Sequence, residues 1–128
     1  MTQHIPTVAR LLIGLVFIAA FIADVTGKVQ PPEPEAAQAF MDMLDSSGLL
    51  YLVKILELAG GLALLSGFFV PLALLVLAPI IVNIAFFHGA LDPSGSVFSV
   101  VLIALWVVAA SAHRGVFMPL LQAKPRDV

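Results

Sequence analysis

The chain has 128 residues, 61% of them hydrophobic and only 11% charged, with a mean hydropathy of +1.10. A soluble domain of this size hides only about two-thirds of the surface its unfolded chain exposes, so lipid is the solvent that fits so apolar a composition. A net charge of −2 leaves no basic face for phosphate contacts with nucleic acid, and the absence of cysteine removes disulfides, thiol nucleophiles and iron–sulfur ligation.

The first apolar segment covers about residues 8–25 and carries no Asp, Glu, Lys or Arg from 11 to 23. A helix crosses the hydrocarbon in about 20 residues, with a tolerance of several. Arg10 before an apolar run also opens a secretory signal, but no small-x-small cleavage site follows and further spans do, so the segment is read as a retained span. Arg10, Gly14, Phe17, Phe21 and Asp24 fall on one face of it, expected to point inward.

The connection that follows contains Pro31, Pro32 and Pro34, then a run with Ala37, Phe40, Met41 and Leu44 at helical spacing. Glu35, Gln38, Asp42 and Asp45 take the opposite face. This predicts a short amphipathic helix over about residues 35–45, stopped by Ser46-Ser47-Gly48. It is expected on the outer surface of the membrane, either as a lid or as a helix that merely spans a gap.

No Asp, Glu, Lys or Arg occurs from 58 to 91, too long a stretch for one span. Ser66-Gly67 followed by Pro71 supplies a break, giving spans over about residues 49–70 and 72–88 in a tight hairpin. Pro79 takes a donor from the second of these and frees the carbonyl of Leu75, predicting a kink just before Asn83. Asp92-Pro93-Ser94-Gly95 makes the next turn, and a fourth span covers about residues 96–113. Trp106, Ala110 and His113 share a face of it, with Trp106 either on a pocket floor or in simple packing.

Basic residues set the orientation. Arg10 precedes the first span and Arg114, Lys124 and Arg126 follow the fourth, whereas the first connection sets Lys28 against Glu33, Glu35, Asp42 and Asp45. Lys and Arg collect on the cytoplasmic side. The expected fold is therefore all-α: one domain over residues 1–128, a four-transmembrane-helix bundle with both termini cytoplasmic.

Lys54 and Glu57 are the residues that most need explaining, because an ionised side chain inside a span costs about 2.5–3.5 kcal/mol on insertion scales. At i and i+3 they share a face and can pair. At 1.5 Å per residue Lys54 lies about 7 Å and Glu57 about 12 Å below the outer end of the second span, and Asn83 about 6–8 Å below that of the third. With Asp24 and His88 these converge on the outer half of the bundle. One reading is an outward-facing polar pocket, with Lys54 and Glu57 at its base, Asn83 giving a hydrogen bond and His88 a group titrating near neutral pH. The other is that Lys54, Glu57 and Asn83 satisfy one another and fix helix packing. Gly14, Gly60 and Gly61 are expected to let helices approach closely. One His among scattered carboxylates gives no metal-ligand spacing, and no phosphate loop, activated nucleophile or cofactor fingerprint appears.

These residues resemble the DoxX family of small four-helix bacterial membrane proteins. The resemblance rests on residues 9–15, on the KILELAGG of residues 54–61, on residues 69–74 and 77–84, on His88, on residues 92–95 and on Ala112-His113-Arg114. The family takes its name from a membrane subunit of a quinone-reducing sulfur-oxidation enzyme. The resemblance therefore implies a bacterial plasma-membrane protein with no stand-alone catalysis, a subunit of a redox system with a redox-enzyme partner. It would have no intrinsic cofactor and would bind a quinone-like or lipid-like molecule. Lys54, Glu57 and Asn83 would meet the polar head, and Phe17, Phe21 and Trp106 the apolar body. Two features depart from the family pattern: Ala20-Phe21-Ile22-Ala23-Asp24, where relatives carry a glycine or small polar residue, and the lack of cysteine, which weakens a direct thiol-redox role. A structural or assembly protein is the alternative. A proton-linked transporter resting on Glu57 and His88 is a third reading, and would call for a homo-oligomer.

Overall fold

The computed structural model describes residues 4–27 and 32–124, so Lys28, Pro31 and Arg126 lie outside it. Its elements are helical throughout, with no strand among the described residues. In chain order they are α1 (Ile5–Val25), α2 (Glu35–Ser47), α3 (Leu49–Ser66), α4 (Val70–Phe86), α5 (Ser96–Ser111) and the single turn α6 (Arg114–Phe117).

Local chemistry explains where these helices begin and end. Pro6 sits in the first turn of α1, where a missing N–H costs nothing, so the helix starts three residues before the expected boundary. Gly48, at φ 82°, ends α2 and starts α3 with no loop between them. The expected second span to residue 70 is corrected: α3 stops at Ser66 because Gly67 takes φ 84° and closes the last turn with a bond from its N–H to the Ala63 carbonyl. Phe69 then holds φ 57°, a left-handed conformation that costs a side-chain-bearing residue about 1–2 kcal/mol, before α4 begins with Pro71 in its first turn. At its far end α4 passes into one π-helical turn, Phe87–Leu91, closed by the Asp92 N–H on the Phe87 carbonyl at 2.9 Å.

Four stretches are long and apolar enough to cross a membrane: Ile5–Val25, Leu49–Ser66, Val70–Leu91 and Pro93–Ser111. Only 17–28% of each is buried inside the protein, so most of their apolar side chains have no protein to cover them. Leu15, Ile55, Leu62, Val82 and Val100 all face outward. A water-soluble surface cannot carry this; the chain is an integral membrane protein whose outer surface meets lipid.

The four spans close a ring. α1 packs on α3 and α5, and α4 packs on the same two from the opposite corner. Ile13, Phe17, Leu64, Leu74, Leu77 and Leu102 fill the centre. The spans alternate in direction, so the start of α1, the α3–α4 turn and the end of α5 share one end of the bundle, and α2 caps the other. At the α1–α3 crossing Gly14 and Gly61 bring the backbones together: a Cβ on Gly14 would lie 3.1 Å from the Gly61 carbonyl oxygen, and one on Gly61 3.3 Å from that of Gly14. Gly60, next along α3, gives the same room to Leu77 of α4.

Helix α4 continues unbroken through Pro79. The Trp106 indole N–H reaches across from α5 to donate to the Leu74 carbonyl at 2.8 Å, one residue before the carbonyl that Pro79 deprives of its helical donor. Its ring also packs on Phe117, with centroids 6.2 Å apart. Trp106→Phe is expected to cost about 1 kcal/mol through the lost hydrogen bond, visible as a lower thermal midpoint by circular dichroism in mild detergent. An unchanged midpoint would show the bond to be dispensable.

Candidate functional site

A cavity of about 400 Å³ lies at the α2 end of the bundle. Val16, Phe17 and Ala20 of α1 form one wall, Leu50, Val53, Lys54 and Glu57 of α3 another, and Pro79, Ile80, Asn83 and Ile84 of α4 a third. Phe98 and Leu102 of α5 close the back. The roof is α2, whose apolar face turns Phe40, Met41 and Leu44 into the cavity. Phe40 packs against Phe87 at 5.6 Å between ring centroids, which ties α2 to the π-helical turn.

The polar floor is an ion-pair cluster. Lys54 Nζ lies 3.3 Å from Glu57 Oε2 within α3 and 3.9 Å from Asp24 Oδ2 across on α1. Glu57 is only 6% exposed, so its charge depends on that ammonium rather than on water. One cation faces two carboxylates, which leaves acceptor capacity for a ligand hydroxyl. Asn83 adds an amide with both donor and acceptor atoms on the opposite wall.

His88 stands at the rim in the π-helical turn. Its Nδ1 lies 3.2 Å from the Asp92 carbonyl oxygen, which can only accept, so Nδ1 carries the proton in that contact. The Ser96 hydroxyl donates to the His88 carbonyl, and Phe87 and Phe98 meet the imidazole edge-on. Gly95 lies directly under the ring, where any side chain would collide with it. The sequence marks Gly95 only as a turn residue; its lack of a side chain is what seats His88.

The structure thus brings Lys54, Glu57, Asn83, His88 and Phe17 around one cavity, with Asp24 joined to it through Lys54. Three other candidates are corrected. Arg10 shares the α1 face but not its end, since 14 residues of helix separate it from Asp24 by about 21 Å; it lies in a different cavity with His113. Trp106 is one turn past Leu102, away from the cavity, and spends its N–H on the α4 backbone. Phe21 is half-buried but does not line the cavity, because it flanks Phe17 on the side opposite Val16 and Ala20. The roof residues and Leu50, Ile80, Phe87 and Phe98 had not been singled out as pocket residues. Helical spacing was the available signal, as Leu50 lies one turn from Lys54, and Ile80 and Phe87 one turn either side of Asn83.

Among the described residues no three His, Asp or Glu side chains gather as a metal site would need. The cavity holds no nucleophile beside a base. It has apolar walls, a few polar side chains and a volume within the range of small-molecule pockets.

No curated protein and no solved structure matches the chain. The family model of DoxX matches residues 5–90, which take in α1 through α4 and every polar residue around the cavity, and leave α5 and the Ala112-His113-Arg114 stretch outside the match. The chain belongs to the DoxX family.

Proposed function

We propose that this protein is a non-catalytic subunit of a membrane redox system that holds a quinone-like or lipid-like amphiphile in the α2-capped cavity. The observation that carries this reading is the pairing of an apolar-walled space of about 400 Å³ with a partly buried Lys54–Glu57 pair at its floor. The polar head of the amphiphile meets Glu57, Lys54 and Asn83, and its apolar body lies along Phe17, Ile80 and Phe40. Charge supports a bacterial plasma-membrane orientation with the cavity facing outward. Arg10, Arg114 and Lys124 lie at the terminal end, and Asp24, Glu33, Glu35, Asp42, Asp45 and Asp92 at the cavity end.

Native mass spectrometry of protein extracted in mild detergent tests this. Wild type is expected to carry a bound small molecule of quinone or lipid mass, and Lys54→Met/Glu57→Leu to lose it about tenfold or more, the effect of removing one charge-assisted hydrogen bond or several. One observation favours a second reading: Lys54 is already satisfied by Glu57 and Asp24, as a packing device requires. An empty wild type with an equally stable double variant would establish that reading, of a structural or assembly protein.

A further inference from the structure

The terminal end of the bundle holds a second cavity of about 350 Å³, between the start of α1, the α3–α4 turn and the end of α5. Thr7, Arg10, Gly67, Val70 and His113 line it. Arg10 is the one Asp, Glu, Lys or Arg side chain in its lining. The ion pairs found among the described residues all belong to Lys54 at the other end, so none of the carboxylates described there pairs with Arg10. Arg10 Nε is buried and has no hydrogen-bond partner. A guanidinium nitrogen shut off from water without an acceptor is costly.

The guanidinium lies against Gly67, where a Cβ would come within 2.9 Å of Nη1, so the chain leaves the space this side chain occupies. Val70 begins α4, whose first N–H groups have no acceptor within the helix and carry its positive dipole end. His113 supplies an imidazole and Thr7 a hydroxyl on neighbouring walls. Arg10 lies about 8 Å from the first residue of α1 by helical rise, the depth of lipid headgroups at the end of a span.

We infer that this cavity binds a phosphate-type oxyanion, with the Arg10 guanidinium as its main ligand and Thr7 and His113 beside it. Arginine presents paired N–H donors that match two phosphate oxygens. A phospholipid headgroup and free phosphate share this chemistry. The inference is independent of what fills the α2-capped cavity.

The experiment is native mass spectrometry of the full chain in an uncharged maltoside detergent, titrated with dioleoylphosphatidylglycerol, dioleoylglycerol or inorganic phosphate. Wild type is expected to retain phosphatidylglycerol and not dioleoylglycerol. Arg10→Gln is expected to weaken that retention about tenfold, as loss of a charge-assisted hydrogen bond does, and Arg10→Lys to weaken it less. His113→Gln provides a separate test should Arg10→Gln fail to fold, with a smaller but measurable loss expected. Displacement of the lipid by inorganic phosphate at millimolar levels would identify a free-phosphate site, and its persistence a headgroup site. Equal retention of dioleoylglycerol, or unchanged phosphatidylglycerol retention in folded Arg10→Gln or in His113→Gln, would overturn the inference.

Discussion

Lys54→Met is expected to destabilise the folded bundle by about 1.5–3 kcal/mol, the range of a hydrogen bond to a charged group, and less than a fully buried pair would cost because the Lys54 side chain keeps 21% exposure. The ammonium lies 3.3 Å from Glu57 and 3.9 Å from Asp24, so its loss leaves two carboxylates facing each other across α1 and α3 with nothing between them. Glu57, at 6% exposure, has no water to turn to. Adding Glu57→Leu should recover most of the loss, because an apolar pair of similar volume needs no solvation. Glu57→Leu alone should cost less than Lys54→Met, since Lys54 keeps Asp24. Unfolding of the three variants in the same detergent, followed by circular dichroism, gives the order. If the double variant is no more stable than Lys54→Met, the pair does not account for the effect. The same double variant serves the ligand test, so its stability decides whether a lost ligand reflects the site or the fold.

Gly14→Val is expected to be the most damaging change on α1 that leaves charge untouched. A Cβ there would lie 2.9 Å from Leu65 Cγ and 3.1 Å from the Gly61 carbonyl oxygen; the side chain can move, but the carbonyl belongs to the facing helix and cannot. Membrane helices gain nothing from burying apolar groups away from lipid, so their association rests on close packing of such small residues. Overpacking of this kind costs about 1–3 kcal/mol and occasionally more, only partly offset because valine is a better helix former than glycine. Gly115→Ala is the control, since nothing lies within 4 Å of its Cβ. Thermal midpoints should fall for Gly14→Val and hold for Gly115→Ala. Equal midpoints would mean that α1 and α3 can part without loss.

Structure and site respond to these two changes differently. The glycine contact lies on the α1–α3 seam between the two cavities, below the ion-pair cluster, so separating the helices there also moves Asp24 relative to Lys54. Coupling between Gly14→Val and Lys54→Met beyond simple additivity is the expected mark of that shared seam.

The sequence by itself determined the solvent and the number of crossings, because hydropathy and helix length depend only on composition along the chain. It also determined the hairpin at Gly67, the amphipathic helix α2 and the pairing of Lys54 with Glu57, since each is a relation between residues close in sequence. It placed Asp24 at the right end but not against Lys54, and it grouped Arg10 and Trp106 with a cavity they do not reach. A helical face lists residues that point one way over the whole length of a span, and it does not say which end of the bundle a cavity occupies. Which face of α1 meets which part of α3, that α2 lies over the mouth, that Trp106 turns to the α4 backbone and that Gly95 yields its space to His88 were decided only by the tertiary structure. These are contacts between helices, set by which side chains fit at each crossing, and no periodicity within one helix encodes its neighbour.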